Sequence, residues 1–408
     1  MKSFIRVDDD GLQSLPLAGI KVIEFTHMVM GPAVGLILAD MGADVIKLEP
    51  VHGDKTRGLP GSGAGYFPAY NRNKRSLCVD LKSPQGKAAV RRLVEDTDVL
   101  IENFRPGTMD RLGFGYEALR ERNARLIYCS EKGFLAGPYE KRTAMDEVAQ
   151  MMGGLAYMTG PPGRPLRAGA SVIDVQGGMF GALGILGALL QRKETGEGQK
   201  VIASLFESTV FLMGQHMAQY AVTGEAAAPM PARISAWAIY QVFETKDDDL
   251  VFVGIVSDKQ WEILCDAFGL NELAADESLA TNDGRAAEKD RLLPIIKRVF
   301  ASYRKAELMA KLDASGLPFA PITRPDELFD DPHLNAGAGL VPFTVTDGER
   351  KGHEAKLPAL PLEMDGHRFG LRLPVPRAGE HSREILAEAG YSDDEIEDLL
   401  RAGVVTAE

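Results

Sequence analysis

The sequence predicts an α/β protein, with a Rossmann-like, doubly wound large domain followed by a smaller α+β domain. Over the first half of the chain, short β-branched runs alternate with helical stretches, which is typical of a mainly parallel sheet covered by helices on both faces. A length of 408 residues favours two domains over a single core. The content of 45% hydrophobic and 25% charged residues is that of an ordinary globular protein.

Four short runs rich in Val, Ile and Leu supply the main strands of this sheet. By residue number they are 20–25, 44–49, 98–101 and 125–129. Helical stretches and loops separate them, as parallel pairing requires. The loop after the first run, 26–32, lacks the GxGxxG pattern, so we expect no standard dinucleotide pyrophosphate site there.

Capping residues mark the helices between these strands. Pro32 lies near the first position of a helix that Gly42 ends, and Ser83 with Pro84 provides an N-cap and a first helical position. Two longer helical segments are predicted at 146–158 and 177–191.

A change of composition near 224–231 separates the two domains. We expect a large domain over 1–222, a small α+β domain over 223–332, and a linker with a C-terminal segment over 333–408. Two strand-like runs, 239–245 and 250–255, predict a hairpin in the small domain.

Charge and cysteine content exclude several classes of function. The net charge of −12 argues against nucleic acid or an anionic membrane as the main partner. No apolar run reaches the ~18 residues of a membrane span, and the N-terminus has no signal-peptide pattern, so we expect a cytoplasmic protein. Three cysteines in apolar contexts and seven scattered histidines predict buried free thiols and no metal site.

Asp174 is the most informative residue, because Ile173 and Val175 flank it and a long apolar run follows. A carboxylate in such a stretch costs free energy unless it has a partner. One interpretation is a helix N-cap, for which Asp is favoured. The other is a reactive carboxylate at a helix start, where the helix dipole would lower its pKa. The residues around Asp174 leave both open and favour the cap.

Further candidates lie near the ends of the predicted strands. His27 follows the first strand, where doubly wound sheets bind ligands. The basic cluster 71–75, which ends at Arg75, could bind phosphates or form a solvated face. The segment Glu-Asn-Phe-Arg-Pro-Gly, 102–107, follows the third strand and leads to Arg111.

The order and spacing of several motifs resemble family III CoA-transferases, the formyl-CoA transferase and carnitine CoA-transferase group. The resemblance covers about 17–400. The motifs that carry it are Gly-Ile-Lys-Val-Ile-Glu-Phe-Thr-His at 19–27, Met-Gly-Ala-Asp-Val-Ile-Lys-Leu-Glu at 41–49, Gly-Asp-Lys-Thr-Arg at 53–57, Asn-Lys-Arg-Ser at 73–76, Glu-Asn-Phe-Arg-Pro-Gly at 102–107, Thr-Gly-Glu-Gly-Gln at 195–199 and Gly-Glu-His at 379–381.

The resemblance implies roles for individual residues. Asp174 falls on the family's catalytic aspartate, His27 on a histidine that positions the acyl group, and Asp146 on an active-site acid. Arg75, from the basic cluster, is a further candidate for binding CoA. The positions that match CoA-binding residues are Val79, Lys82, Asn103, Phe104, Arg111 and Leu112.

The resemblance also implies an assembly and a reaction. Each subunit would be an open ring, interlocked with a second copy as a homodimer. CoA or acyl-CoA would be a substrate, with no permanently bound cofactor. A carboxylate nucleophile can exchange CoA between two acids through a mixed anhydride and an aspartyl-CoA thioester.

Some positions depart from the formyl-CoA transferase pattern. A glycine run is missing from 233–240, and Val29, Pro50 and Met145 replace a glutamine, a basic residue and a tyrosine. Oxalate is therefore not the expected acid. We expect succinyl-CoA or another short dicarboxylyl-CoA as donor, and mesaconate, itaconate, malate or a glutarate as acceptor. The expectation rests also on three cations, Arg57, Arg72 and Arg167.

Three alternatives stay open from the sequence: an acyl-CoA racemase, a CoA lyase of the same superfamily, or a non-catalytic CoA-binding protein. A racemase needs two acid/base groups. Met145 stands where the racemases have their histidine, which argues against that alternative.

Overall fold

The computed structural model describes residues 15–233, 236–346 and 348–408. These residues form two compact units. One comprises the described residues up to Pro231 together with Pro332–Glu408, and the other is Ala232–Asp331. The first unit is an α/β domain built on a seven-stranded sheet.

Six parallel strands and one antiparallel strand form this sheet. In chain order they are β1 (Lys21–Phe25), β2 (Asp44–Glu49), β3 (Lys74–Val79), β4 (Val99–Glu102), β5 (Ile127–Lys132), β6 (Lys200–Ser204) and β14 (Val405–Thr406). Their spatial order is β14-β3-β2-β1-β4-β5-β6, with β14 antiparallel to β3. Chain direction across the sheet reverses between β1 and β4, which is the switch point where doubly wound sheets form their ligand crevice. The predicted parallel sheet is confirmed.

The helices of the first unit that precede Ala232 lie between these strands or, for the last two, after β6. They are α1 (Met30–Asp40), α2 (Tyr66–Tyr70), α3 (Pro84–Val94), α4 (Thr108–Leu112), α5 (Tyr116–Arg120), α6 (Asp146–Met152), α7 (Leu155–Thr159), α8 (Val172–Thr195), α9 (Leu205–Leu212) and α10 (Gly214–Thr223). The cap of α3 is as predicted, since the Ser83 side chain accepts from the backbone N–H groups of Gln85 and Gly86. The segment predicted as one helix at 146–158 is two helices, because Gly154 adopts a left-handed backbone conformation between them.

The second unit has its own three-stranded antiparallel sheet and its own apolar core. Its elements are β7 (Tyr240–Glu244), β8 (Leu250–Gly254), α11 (Asp258–Phe268), α12 (Asn271–Ala274), α13 (Asn282–Ala287), α14 (Lys289–Phe300), α15 (Lys305–Ala314) and β9 (Phe319–Pro321). The predicted hairpin is confirmed, since β7 and β8 pair antiparallel. Trp261, Phe243 and Phe300 are buried in the core of this unit.

The C-terminal segment belongs to the first unit. It contains α16 (Pro332–Ala336), β10 (Leu340–Thr344), β11 (Glu354–Pro358), β12 (Glu363–Met364), β13 (His367–Arg368), α17 (Ser382–Glu388) and α18 (Asp393–Arg401). The part of 333–408 that was predicted as a linker therefore contains two short hairpins. Ile385, Leu386 and Ile396 join the core beneath β3.

One described helix, α8, has the length and apolar composition to cross a bilayer. In this structure α8 packs on α1, β5 and β6, and its Ile173, Ile185 and Ala188 are buried. The face of α8 that carries these residues is that of a core helix, so burial accounts for part of its apolar composition.

Candidate active site

The crevice at the switch point is bordered by the loops that follow β1 and β4. The backbone N–H of His27 donates to the Asn103 side-chain oxygen (3.1 Å), and the Asn103 amide donates to the His27 carbonyl (2.8 Å). The His27 imidazole stacks on Phe104, with ring centroids 5.5 Å apart. Two loops that are 76 residues apart in sequence are thereby fixed to each other at the crevice.

His27 is exposed to solvent, although part of its imidazole ring is buried. Burial of part of the ring lowers the pKa of the imidazole, so the ring is mainly neutral near pH 7. The next residue, Met28, has a left-handed backbone (φ 63°), and its N–H donates to the Thr56 hydroxyl. That conformation is costly for a non-glycine residue and turns the loop sharply between β1 and α1.

Asp174 lies in the first turn of α8, and its side chain does not cap the helix. The helix begins at Val172, five residues before the predicted start, and Ser171 occupies the N-cap position without a capping side-chain bond. Asp146, from α6, supplies the cap instead. One of its carboxylate oxygens accepts the N–H groups of Ile173 (2.9 Å) and Asp174 (3.1 Å). Of the two interpretations from the sequence, the cap is therefore wrong for Asp174.

The other carboxylate oxygen of Asp146 also accepts a hydrogen bond. The Gln150 side-chain amide donates to that oxygen, and the Gln150 side-chain oxygen accepts the backbone N–H of Ala168 (2.8 Å). Both Asp146 and Gln150 are buried. The acid predicted from the resemblance thus lies beside Asp174, with its oxygens occupied by N–H donors.

Burial, together with the charges of Asp146 and Glu147, raises the pKa of the Asp174 carboxyl to about 7, while the charge of Arg167 acts in the opposite direction. The direction is opposite to the one that the helix dipole alone predicts. A helix start contributes only about 0.3–1 kcal/mol in most cases, whereas desolvation and two neighbouring acids together exceed it. Near neutral pH, Asp174 is poised between its acid and carboxylate forms.

Helices α1 and α8 pack closely with their N-terminal ends at the same edge of the sheet. A side-chain carbon added at Gly178 would lie 2.8 Å from the Met30 carbonyl oxygen, and one added at Gly181 would lie 2.0 Å from the Glu131 carboxylate. The first turn of α8, with Asp174, therefore lies beside the first turn of α1, which follows the His27 loop. Gly31 in that turn carries a backbone N–H near a helix start, where anions bind.

The residues predicted to bind CoA lie at the same carboxyl edge of the sheet. Val79 is buried at the end of β3, and Lys82 is exposed in the following loop. Asn103 and Phe104 follow β4. In α4, Leu112 packs on the core, and the exposed Arg111 has a hydrogen bond to the Thr108 hydroxyl. These six residues lie at or after the carboxyl ends of β3 and β4, two strands that β2 and β1 separate in the sheet.

Arg75 does not join this group. It lies near the amino end of β3, opposite Ile46 of β2, at the other edge of the sheet. Its guanidinium pairs with Asp44 (2.6 Å), Glu384 (2.8 Å) and Glu388 (2.9 Å). Three carboxylates already surround this cation, so electrostatics oppose a phosphate there. Its predicted role in binding CoA is corrected on these grounds.

The basic cluster 71–75 is internal, so neither interpretation from the sequence holds for it. Lys74 donates to both Glu24 oxygens (2.9 and 3.0 Å) and to the Pro32 carbonyl. The Asn73 side-chain oxygen accepts the backbone N–H groups of Arg372 and Leu373 from the C-terminal segment. The cluster joins the sheet, α1 and the C-terminal segment.

Two of the three arginines that the sequence suggested for binding a dicarboxylate are already paired with acids of the protein. Arg57 forms two 2.8 Å bonds to Glu49, and the Arg72 side chain, 3% exposed, is paired with Asp40 at 2.6 Å. Arg167 remains, half-buried, in the segment that leads into α8. Among the methionines near these loops and helices, Met28, Met145 and Met151 are exposed, whereas Met30 is buried against Gly177.

Two titratable groups near Asp174 were missed from the sequence. Burial raises the pKa of Glu131 to about 8; one of its oxygens accepts the Cys129 thiol (3.2 Å), and the other has no partner among the described residues. Burial and the charge of Asp174 raise the pKa of Tyr70. Neither residue carries a sequence signal, because each reaches the site only through the packing of α8 and α2.

The sequence predicted buried free cysteines and no metal site. Cys78, Cys129 and Cys265 are buried and free, as predicted. Within the part of the chain that the structure describes, no group of three or more His, Cys, Asp or Glu side chains is arranged to hold a metal ion.

Comparison with known sequences matches residues 17–382 to CoA-transferase family III. A protein named acyl-CoA transferase from Fusarium pseudograminearum is 36% identical over 404 residues, which are 95% of this chain and 88% of the relative. A protein named succinate–glutarate CoA-transferase from Agrobacterium fabrum is 36% identical over 388 residues, 91% of this chain and 95% of the relative.

Comparison with solved structures gives the same assignment for the fold. The crystal structure of a CAIB/BAIF family protein from Brucella suis superposes with a TM-score of 0.81 at 33% identity. The match covers 92% of this chain and 99% of that one.

Proposed function

The chain belongs to CoA-transferase family III, and on that premise we propose that it moves CoA from succinyl-CoA, or another short dicarboxylyl-CoA, to a free carboxylic acid. Membership of the family makes the protein an enzyme that transfers CoA. The choice of acids is supported by the Agrobacterium fabrum relative, whose name joins succinate and glutarate. It is also supported by Val29, Pro50 and Met145, which depart from the oxalate-specific pattern.

The observation that carries the mechanism is the placement of Asp174. Its backbone is fixed by Asp146, its carboxyl lies at the edge of the crevice, and its pKa of about 7 leaves a reactive carboxylate at neutral pH. A carboxylate whose conjugate acid has a pKa near 7 is a better nucleophile than an ordinary aspartate, because basicity and nucleophilicity rise together.

The reaction follows from this nucleophile. The Asp174 carboxylate attacks the donor thioester carbonyl, which forms a mixed anhydride and releases CoA thiolate. The thiolate attacks the Asp174 carbonyl, giving an aspartyl-CoA thioester and the free donor acid. The acceptor carboxylate attacks that thioester and forms a second anhydride. The thiolate then takes the acceptor acyl group, and Asp174 is regenerated.

Other residues bind and orient the reactants in this proposal. Lys82 and Arg111 hold CoA phosphates through charge-assisted bonds, and Val79, Asn103, Phe104 and Leu112 form the rest of the CoA surface. The neutral His27 imidazole hydrogen-bonds the acyl group, and the N–H of Gly31 stabilises developing negative charge on the carbonyl oxygen. Asp146 is a positioning residue, because one of its oxygens accepts two N–H groups from the backbone that carries Asp174.

We further propose that two subunits interlock as a homodimer, that the second unit, Ala232–Asp331, serves as the small domain, and that Pro332–Glu408 of the first unit is the returning segment. An apolar surface supports an assembly. Met179, Leu183 and Leu190 share one face of α8 and are more than half exposed, and Phe211 on α9 is 71% exposed. Large apolar side chains that are exposed together on neighbouring helices are typical of a protein interface.

The substrate proposal is tested by a matrix of acyl-CoA donors against free acids, followed by chromatography of the CoA products. We expect transfer from succinyl-CoA to at least one of mesaconate, itaconate, malate and glutarate, and weak transfer from formyl-CoA to oxalate. Efficient formyl-CoA:oxalate exchange without succinyl-CoA exchange would overturn the choice of acids. Absence of exchange for every pair would overturn the activity.

A further inference from the structure

One turn of α6 holds both Arg167 and Asp174. Asp146 accepts the backbone N–H of Asp174, and the next residue, Glu147, forms an ion pair with the Arg167 guanidinium. One turn later, the Gln150 oxygen accepts the N–H of Ala168, the residue after Arg167. The two ends of the segment 167–174 are thus fixed on a single helical turn, which keeps the guanidinium beside the nucleophile.

The Arg167 guanidinium is only partly occupied. Its Nε donates to the Ala168 carbonyl (3.0 Å) and its Nη1 to Glu147. Its Nη2 has no protein partner within the described ranges, and the side chain is 36% exposed. An arginine with one free guanidinium nitrogen beside a reactive carboxylate can bind a further anion.

The partner of Arg167 is itself a carboxylate that solvent reaches. The Glu147 side chain is 46% exposed, so it can move away or share the guanidinium at small cost. In contrast, the buried pairs of Arg57 and Arg72 would each leave an uncompensated carboxylate behind if a ligand took the cation.

We propose that Arg167 binds the distal carboxylate of the dicarboxylic acyl group while Asp174 reacts with its thioester end, and that Glu147 takes the place of that carboxylate in the free enzyme. This inference rests on the proposed CoA-transferase function. Succinyl and glutaryl groups place two or three methylenes between their carboxyl carbons, which lets one molecule touch both residues of a segment fixed on one turn of α6.

Glu147 and the distal carboxylate of the substrate compete for Arg167, and this competition sets how strongly the enzyme prefers dicarboxylyl-CoA donors. A monocarboxylic acyl group leaves Arg167 paired with Glu147, so no buried charge is stranded. A dicarboxylic acyl group gains a charge-assisted bond, worth about 10- to 100-fold in kcat/KM. The enzyme therefore prefers dicarboxylyl-CoA donors and still accepts monocarboxylyl-CoA donors slowly.

The test compares kcat/KM for succinyl-CoA and butyryl-CoA, which differ in that a distal carboxylate replaces a methyl group, with one acceptor acid. We expect Arg167→Met to lower the succinyl-to-butyryl ratio by about 10- to 100-fold, Arg167→Lys to restore part of it, and Glu147→Gln to raise it. Arg164→Met, at an exposed arginine of the same loop, is the matched control and leaves the ratio unchanged.

The ratio of kcat/KM for succinyl-CoA to kcat/KM for butyryl-CoA is also independent of the effect that Glu147 has on the pKa of Asp174. The charge of Glu147 raises the pKa of Asp174, so Glu147→Gln changes the rate with either donor, and this common change cancels in the ratio. Only a contact with the distal carboxylate alters the ratio itself.

The outcomes separate the inference from the function on which it rests. An Arg167→Met enzyme that loses both donors equally, or neither, contradicts the inference. If this variant fails to fold, an unchanged ratio in Glu147→Gln contradicts it. A wild-type enzyme that transfers CoA from neither donor contradicts the proposed function instead.

Discussion

At the scale of single residues, the site depends on a competition between a helix dipole and burial. Asp174 lies in the first turn of α8, where the dipole favours its carboxylate. Burial and the acids Asp146 and Glu147 favour the protonated form and prevail, giving a pKa of about 7. The dipole and the Arg167 cation keep the carboxylate accessible near neutral pH, where a nucleophile is needed.

The pH dependence of the rate follows from this pKa. Because Asp174 reacts as the carboxylate, kcat/KM is expected to rise with pH up to about 7 and then level off. Asp146→Asn removes one of the charges that raise this pKa, so it moves the rise to lower pH. Initial rates between pH 5 and 9 for both enzymes check this, and superimposable profiles would contradict the coupling.

Stability depends on pH with the opposite sign. The folded-state pKa of Asp174 is raised from 3.8 to about 7, so the folded state binds an extra proton between these values. Asp174 therefore costs stability as pH rises from about 4 to about 7, and the full cost persists above that range. Asp174→Asn removes the cost. Thermal unfolding should show a gain in Tm at pH 8 and none at pH 3.5; equal gains at both would contradict it.

Asp146 is expected to act through the backbone of α8. Asp146→Ala removes the acceptor of two helix N–H groups, which costs about 1–2 kcal/mol of unfolding free energy. Loss of the exact position of Asp174 lowers kcat by about 100-fold. Urea unfolding and steady-state kinetics measure both. Asp146→Asn, which keeps one acceptor oxygen, is the comparison and should lose less of each; an Ala variant with full activity would contradict the positioning role.

At the scale of elements, the close contact of α8 with its neighbours sets the active-site geometry. Gly178 lies against the Met30 backbone of α1, and Gly181 lies over the Glu131 carboxylate on β5. These contacts hold the first turns of α8 and α1 together at the crevice. They also explain why a long apolar helix contains so many glycines despite their low helix propensity.

Substitution in this helix separates the close contacts from helix propensity. Gly181→Ala would bring a methyl group to 2.0 Å from a buried Glu131 oxygen, so it should destabilise the protein by about 1–3 kcal/mol. Gly187→Ala, where nothing lies within 4 Å, should stabilise it by about 0.5–1 kcal/mol. Chemical denaturation of the two variants measures both effects, and equal shifts would contradict the packing account.

The sequence predicted these elements to different extents. The start of α3 was predictable because its cap, Ser83 with Pro84, is local. The start of α8 was not, because its cap is the side chain of Asp146, which is 27 residues earlier in the chain than Ile173. The same holds for Tyr70 and Glu131, which reach Asp174 only through tertiary packing.

At the scale of the whole molecule, the alternating pattern of strands and helices predicted the parallel sheet and its switch point correctly. The predictions from the sequence were wrong where charged side chains are buried. Residues 71–75 look like a phosphate site, yet they pair internally with Asp40, Glu24 and the C-terminal segment. Composition cannot distinguish a solvated cation from a buried pair, because the partner lies far away in the chain.

The apolar face on α8 and α9 predicts a dimer in solution. Light scattering should give twice the mass of one chain. Leu183→Glu with Phe211→Glu places two charges on that face, where burial would be costly, and should yield monomer at low concentration. Ala88→Glu, at an exposed position on α3, is the control and should keep the dimer. A wild-type monomer would contradict the proposed assembly.

The covalent state of Asp174 during turnover tests the central claim most directly. Wild-type protein and Asp174→Asn are incubated with succinyl-CoA, quenched in acid, digested and examined by mass spectrometry. We predict CoA joined as a thioester to the wild-type peptide that contains Asp174, and no such adduct in the variant. CoA attached to any other residue, or persisting in Asp174→Asn, would contradict the assignment of Asp174 as the nucleophile.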